Sequence, residues 1–196
     1  MNLYFYGGSF DPPHLGHKKI ISYCSNRSDM LLVIPTYQSP HKSYKPTSFF
    51  HRKEMLKLML SDLSGKLEII DYENDNKSKY TFETVNFLKN KYPEYTLNMV
   101  LGEDQFCRIY AWERYEYILS NVNSLVIKRP GIDEWDEDRN EYQEKLYGYT
   151  NIKWIDDISI DISSEDIKNN INNLERIKLM LDENVFDYIM ENRLYI

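Results

Sequence analysis

Short apolar, β-rich runs alternate along the chain with longer stretches whose apolar residues recur every three to four positions. That alternation is the pattern of βαβ units wound around a parallel sheet. Strands are predicted near 2–6 (NLYFY), 30–35 (MLLVIP), 67–71 (LEIID), 96–101 (TLNMVL), 123–128 (NSLVIK) and 152–155 (IKWI). Helices are predicted near 15–25, 48–61, 80–91, 104–120, 164–173 and 183–192. In the fourth of these, Phe106, Ile109, Trp112, Ile118 and Leu119 fall at near-helical spacing. Asp182 offers a side-chain oxygen to cap the last. The acidic stretch 133–144, following Pro130-Gly131, reads as a solvated loop or surface helix. The expected fold is a doubly wound α/β domain with a parallel sheet. It spans 1–196, with a core over about 1–160 and a helical C-terminal part over about 161–196.

Composition adds little to that picture except by exclusion. A length of 196 residues suits one domain, and 42% hydrophobic with 28% charged residues is globular rather than disordered. No apolar run nears the roughly 18 residues a membrane span needs. The opening MNLYFYGGSF has no basic leader or cleavage site. Cys24 and Cys107 are too far apart in sequence for a metal clip and too few for a disulfide framework, so a cytoplasmic setting is expected. The net charge of −7 argues against a nucleic-acid binder. Its distribution is uneven: residues 1–60 hold eight Lys/Arg and three acids, +5, which leaves −12 for the rest. A local anionic ligand fits that asymmetry better than a polymer does.

The strongest chemical signal follows the first strand: Gly7-Gly8-Ser9-Phe10-Asp11-Pro12-Pro13-His14-Leu15-Gly16-His17. Paired glycines allow a tight turn and close approach of a ligand. A helix starting near His14 turns its N–H groups and positive dipole end toward whatever the turn cradles, and phosphate is the natural occupant. His14 and His17, three apart, share one face of the first helical turn and can donate to phosphate oxygens. Two other readings stand beside this one. The pair has metal-ligand spacing, although zinc wants a third ligand, or the glycines merely turn and the histidines pack. The spacing fits neither a Walker loop nor a GxGxxG fingerprint.

GGSFDPPHLGH resembles the signature of the nucleotidyltransferases with an HxGH motif, and its Asp-Pro-Pro-His form is most similar to the bacterial nicotinate-nucleotide adenylyltransferase family. The similarity continues in order. Ile34-Pro35 through Ser39-Pro40-His41-Lys42 resembles the family's proline-bounded loop, and Lys79-Tyr80-Thr81-Phe82-Glu83-Thr84 its Ser-Tyr-Thr-x-Asp-Thr segment. Gly102-Glu103-Asp104 with Trp112, then Lys128-Arg129-Pro130-Gly131, then Ile162-Ser163-Ser164 match later elements, and Val185 to Tyr195 resembles the closing helix and Leu-Tyr end.

The resemblance implies roles position by position. Gly8 and Ser9, with Phe10 beside them, would hold ATP, while His14 and His17 would be catalytic and stabilise charge on the transferred group. Gly102 and Asp104 would sit at the carboxyl edge of the sheet, Asp104 facing a ribose diol; a helix-capping role is the competing reading. Ser163, Ser164 and Lys168 would form a second anion site on the ATP phosphates, unless Ser163 only caps a helix. Lys42, Thr81, Thr84 and Trp112 would border the pyridine nucleotide, Trp112 stacking on its ring. Otherwise Trp112 is core and Lys42 an exposed lysine.

The implied reaction moves AMP from ATP to nicotinate mononucleotide, giving deamido-NAD and pyrophosphate. Mg2+ would arrive with ATP, with no protein metal site, and a homo-oligomer is compatible. Departures from the family pattern fall at Lys79, Glu83, Glu165 and Lys168, where Ser, Asp, Thr and Arg are usual; Lys168 keeps the charge but loses the bidentate fork. Glu113, directly after Trp112, would favour an amide over a carboxylate. Other acceptors (nicotinamide mononucleotide, phosphopantetheine or, with CTP, glycerol phosphate) and a non-catalytic nucleotide sensor remain the alternatives.

Overall fold

A computed structural model describes residues 1–38, 46–128, 146, 148–158 and 160–196. Lys42, the segment 129–131 and the acidic run 133–144 lie outside the described residues. Six strands, β1 (Asn2–Gly8), β2 (Met30–Pro35), β3 (Leu67–Ile69), β4 (Thr96–Gly102), β5 (Asn123–Ile127) and β6 (Ile152–Ile155), form one sheet. Their order is β3-β2-β1-β4-β5-β6, and every neighbouring pair is parallel. The chain winds outward from β1 to one edge, then returns to start the other half beside it at β4. The predicted doubly wound sheet is therefore the observed one, and its topological switch point lies between β1 and β4.

Because successive side chains of a strand point to opposite faces, the central strands divide their apolar residues between two cores. Tyr6, Leu31, Val33, Val100, Leu125 and Ile127 face one. Leu3, Phe5, Leu32, Ile34, Met99 and Val126 face the other. The first core is covered by α1 (Leu15–Ser25) and α2 (Phe49–Met59). It also takes in the C-terminal helices, whose Ile167, Ile177, Val185 and Ile189 are buried in it. The second core is covered by α4 (Thr81–Lys91), which follows the short α3 (Tyr72–Asn76), and by residues up to 122. The carboxyl ends of the six parallel strands share one edge of the sheet, and the motif turn leaves β1 near the middle of it.

Three predicted elements, 15–25, 30–35 and 152–155, have the observed ends. The expected single helix over 104–120 is instead broken into α5 (Glu103–Phe106), a 3₁₀ turn (Ile109–Ala111) and α6 (Tyr115–Asn121). Phe106, Ile109, Ile118 and Leu119 are all buried, so the apolar spacing was informative. The continuity was not, because Arg114 enters the left-handed region at φ 55° and resets the axis. The C-terminal part holds α7 (Ser164–Asn169), α8 (Leu174–Lys178) and α9 (Glu183–Glu191). The last is capped by Asp182, whose Oδ1 accepts from the Asn184 N–H at 3.1 Å.

Two polar side chains sit within the sheet with opposite outcomes. Asn98 is satisfied: it donates to the Thr96 carbonyl at 2.9 Å and accepts from Asn123 at 3.1 Å. Ser124 on β5 is fully buried and its hydroxyl has no hydrogen-bond partner among the described residues. A buried hydroxyl without a partner keeps its desolvation cost. Replacing Ser124→Ala should therefore leave stability unchanged or raise it by about 1 kcal/mol, read from the urea midpoint at constant slope.

Candidate active site

The motif turn leaves β1 at Gly8 and enters α1 at His14, its N-cap. The two histidines cap that helix reciprocally. His14 Nδ1 accepts from the His17 N–H at 3.4 Å, and His17 Nδ1 accepts from the His14 N–H at 3.2 Å. Their rings stack with centroids 3.7 Å apart. An accepting Nδ1 carries no proton, so each neutral ring holds its N–H at Nε2. The two rings, tilted by 30°, thus carry their N–H groups at Nε2 at the positive end of an 11-residue helix.

The expected array of helix N–H donors is smaller than predicted. The Leu15 N–H donates to the Met180 carbonyl at 2.9 Å and the His17 N–H is used by His14. Those two amides are therefore already engaged within the fold.

Packing explains the glycines. A Cβ on Gly8 would meet the Phe10 ring at 3.0–3.2 Å, and one on Gly16 would meet Ile160 Cγ2 at 2.6 Å and the His14 ring at 3.0 Å. Phe10 is buried, adopts φ 48°, and sets its ring edge-on to His17 with centroids 4.9 Å apart. Ser9 and Gly8 remain partly accessible beside it.

Around the turn, the structure adds residues that the sequence reading passed over. Arg52, only 1% exposed, donates to the carbonyls of Ser9 at 2.7 Å, Thr36 at 2.8 Å and Thr47 at 2.9 Å. It binds the motif turn to both ends of the loop that carries Lys42. Asp11 is buried as well: its Oδ1 accepts from the Tyr195 hydroxyl at 2.7 Å, and its Oδ2 lies 3.9 Å from Lys168 Nζ. Glu73, on α3, is buried and accepts from the Thr84 hydroxyl at 3.0 Å and from the Tyr37 N–H. Burial pushes the Glu73 carboxyl up to about 7, against the opposing pull of those two donors and of Arg52. A signal for Arg52 was present: it shares the face of Met55, Leu56 and Met59, where a charge is out of place. Glu73 gave none, and Tyr195 appeared only as the Leu-Tyr end of the closing segment, with no role attached.

The remaining predicted residues take these positions. Gly102 is the N-cap of α5 and Asp104 lies in its first turn, accepting from Gln105 at 3.1 Å, so Asp104 itself does not cap that helix. Ser163 caps α7 by accepting from the Asp166 N–H at 3.0 Å. Ser164 donates to the Pro12 carbonyl at 2.9 Å, which brings this helix start onto the motif turn. Thr81 opens α4 and is half-buried, whereas the Thr84 hydroxyl is committed to Glu73. Trp112 ends the 3₁₀ turn, half-buried against the second core, rather than riding a continuous helix. Glu83 closes the start of α4 through Oε2, which accepts from the Ser78 hydroxyl at 2.7 Å and from the Tyr80 N–H at 3.4 Å. Of the eight basic residues in 1–60, Lys18, Lys53 and Lys57 are paired with carboxylates and Arg52 is buried, so these four form no open anion patch; Lys42 and Lys45 lie outside the described residues.

A cytidylyltransferase-like family model matches residues 5–170. A probable nicotinate-nucleotide adenylyltransferase of Clostridium botulinum (strain Eklund 17B) is 37% identical over 96% of this chain and 95% of its own. The nicotinate-nucleotide adenylyltransferase of Bacillus subtilis is 31% identical over 97% and 96%. Among solved structures, Plasmodium falciparum nicotinic acid mononucleotide adenylyltransferase complexed with NaAD superposes with a TM-score of 0.79 at 25% identity, over 99% of this chain and 97% of that one.

Two outcomes test the geometry. Gly16→Ala drives a methyl into Ile160 and the His14 ring, so turnover should fall by about 100-fold, the scale of a misplacement of about 1 Å. Its stability should drop by about 1–3 kcal/mol. Glu73 is protonated more readily in the fold than in the unfolded chain. Its contribution is therefore fully present below its ordinary pKa of 4.5 and is lost as pH rises toward about 7. Glu73→Gln should flatten that decline in urea-unfolding free energy between those two pH values.

Proposed function

The chain belongs to the cytidylyltransferase-like family, and from that premise we propose that it transfers AMP from ATP to nicotinate mononucleotide, releasing pyrophosphate and forming deamido-NAD. It is an enzyme of the nucleotidyltransferase class, in keeping with relatives named nicotinate-nucleotide adenylyltransferase. The observation that carries the reading is the stacked His14–His17 pair, each Nδ1 accepting from the other's backbone N–H, standing at the switch point of a six-stranded parallel sheet.

The acceptor's 5′-phosphate oxygen attacks the α-phosphorus of ATP in line. The bond from that phosphorus to the bridging oxygen breaks, and the electron pair leaves with pyrophosphate. No protein nucleophile takes part; positioning and charge stabilisation carry the catalysis. His14 and His17 donate from Nε2 to the oxygens on which charge builds. Gly8, Ser9 and Phe10 shape the turn against the triphosphate, and Lys168 and the Ser163-Ser164 start reach its outer phosphates. Gly102 and Asp104 take the ribose diol. ATP comes as its Mg2+ complex, and the metal is part of the substrate. The described residues offer no group of three His, Cys, Asp or Glu placed to hold one.

On the acceptor side, Trp112 stacks on the pyridine ring and Thr81 opens the helix beside it. Thr84 acts one step back, through the carboxyl of Glu73. Lys42, on the loop whose two ends Arg52 holds, brings a cation to the acceptor phosphate. The whole of 1–196 works as one nucleotidyltransferase domain in this reading.

Pyrophosphate release with ATP and Mg2+ should be rapid with nicotinate mononucleotide and much slower with its amide. His17→Ala should cut kcat by about 100- to 1,000-fold with the fold intact, the scale for one lost oxyanion donor. Preference for the amide would overturn the substrate, and unchanged turnover in His17→Ala would overturn the role of the pair. ATP binding without pyrophosphate from any acceptor would make the protein a sensor.

A further inference from the structure

The motif turn is held from outside by the far end of the chain. Tyr195, 184 residues from Asp11, donates its hydroxyl to Asp11 Oδ1 at 2.7 Å, and the Thr47 hydroxyl hydrogen-bonds the same phenol. Burial and the neighbouring carboxylate both push the phenol's pKa up, so it stays a neutral donor. Tyr195 adopts φ 66°, a left-handed conformation that a residue with a side chain keeps only when its surroundings demand it. The other oxygen of Asp11 lies 3.9 Å from Lys168 Nζ, and Ser164, on the same helix as Lys168, donates to the Pro12 carbonyl.

We propose that Tyr195 is a positioning residue for ATP: by fixing the Asp11 carboxylate it sets where the Lys168 ammonium stands beside the motif turn. A buried carboxylate with one oxygen pinned has a single orientation, and its second oxygen becomes a fixed seat for a cation. At 3.9 Å the seat guides the ammonium without closing a tight hydrogen bond on it, so Lys168 can lean toward a phosphate while staying aligned. Without the phenol hydroxyl, Asp11 Oδ1 loses its donor in a buried site. The carboxylate then turns to find another, and Lys168 moves with it. Among the described residues, the contacts that join Tyr195, Asp11 and Lys168 do not include Thr81, Thr84 or Trp112, so the effect falls first on ATP.

The inference rests on the phosphate role given to Lys168 above, and a double-mutant cycle separates the two. Tyr195→Phe, Lys168→Ala and the double variant are compared for KM of ATP and of nicotinate mononucleotide, with thermal melting as the control for folding. Tyr195→Phe should raise KM for ATP about tenfold, the scale of a lost hydrogen bond to a charged group. It should leave KM for the mononucleotide within about twofold, and add nothing in the Lys168→Ala background. Should Tyr195→Phe not fold, Asp11→Asn takes its place: it keeps the side chain's shape and loses the charge that seats Lys168, with the same ATP-selective and non-additive pattern expected. An equal rise for both substrates, or a full additional rise on top of Lys168→Ala, overturns the coupling and leaves the role of Lys168 standing. If Lys168→Ala itself leaves KM for ATP unchanged, the phosphate role fails and this proposal falls with it.

Discussion

One buried guanidinium organises the reactive edge of this protein. In a parallel sheet every strand ends on the same side, so the loops that follow lose their ladder partners together, and their carbonyls must find donors elsewhere. Arg52 supplies three at once, to Ser9, Thr36 and Thr47. A planar fork can serve three carbonyls from three chain segments in fixed directions, which a lysine ammonium cannot. Burying that charge is costly, and the cost is offset by the three hydrogen bonds it makes. Glu73, whose pKa burial raises to about 7, joins the Thr84 hydroxyl to the Tyr37 N–H next to Thr36. The turn after β1, the two ends of the next loop and the region of Thr84 therefore form a connected frame. A loop built on such a frame offers a ligand a surface that is already ordered, and less binding free energy is lost in arranging it.

Elements were legible in the sequence where a local rule decided them. The run MLLVIP could only be a buried strand, and Asp182 announced its helix. The first motif could be placed because glycines, a helix start and paired histidines lie within eleven residues of one another. The break at 107–114 was not legible, since apolar periodicity reports which residues face the core and not whether the axis between them is continuous. The frame around the turn was hidden for a different reason. Arg52 finds Ser9 across 43 residues, Asp11 finds Tyr195 across 184, and Ser164 finds Pro12 across 152. No local pattern encodes partners at such separations. Arg52 left a trace as a charge on an otherwise apolar helix face, while Asp11, Ser164 and Tyr195 stood in recognisable motifs that did not reveal their partners.

Charge shows the same limit. A segment carrying +5 suggested a ready attraction for an anion, yet its basic residues largely serve the protein itself. Lys18 ties α1 to Asp62 and Asp182, and Lys53 ties α2 to Asp71. Net charge per segment measures a long-range field; it does not say which ammonium groups are already matched. Beside Arg52, the fold also brings Lys168 to the motif turn, and that lysine comes from the acidic remainder of the chain.

Several groups assigned to ATP are thus already engaged within the protein: the Ser163 oxygen accepts as a helix cap, Ser164 donates to the Pro12 carbonyl, and the first amides of α1 donate within the fold. A nucleotide phosphate meeting these groups exchanges bonds instead of adding them, so each contributes little net free energy to ground-state binding. The balance shifts as the reaction proceeds. Negative charge concentrates on the transferred group and on the leaving pyrophosphate, and a charged acceptor competes for a donor better than a neutral carbonyl does. Donors that are held in place by weak internal bonds and released to a stronger acceptor act mostly in the transition state, which is where binding free energy raises turnover. On this view the internal hydrogen bonds of the turn do not obstruct the site. They keep its donors aimed without spending them early, and they require both ends of the chain to be in place before the turn takes its working shape.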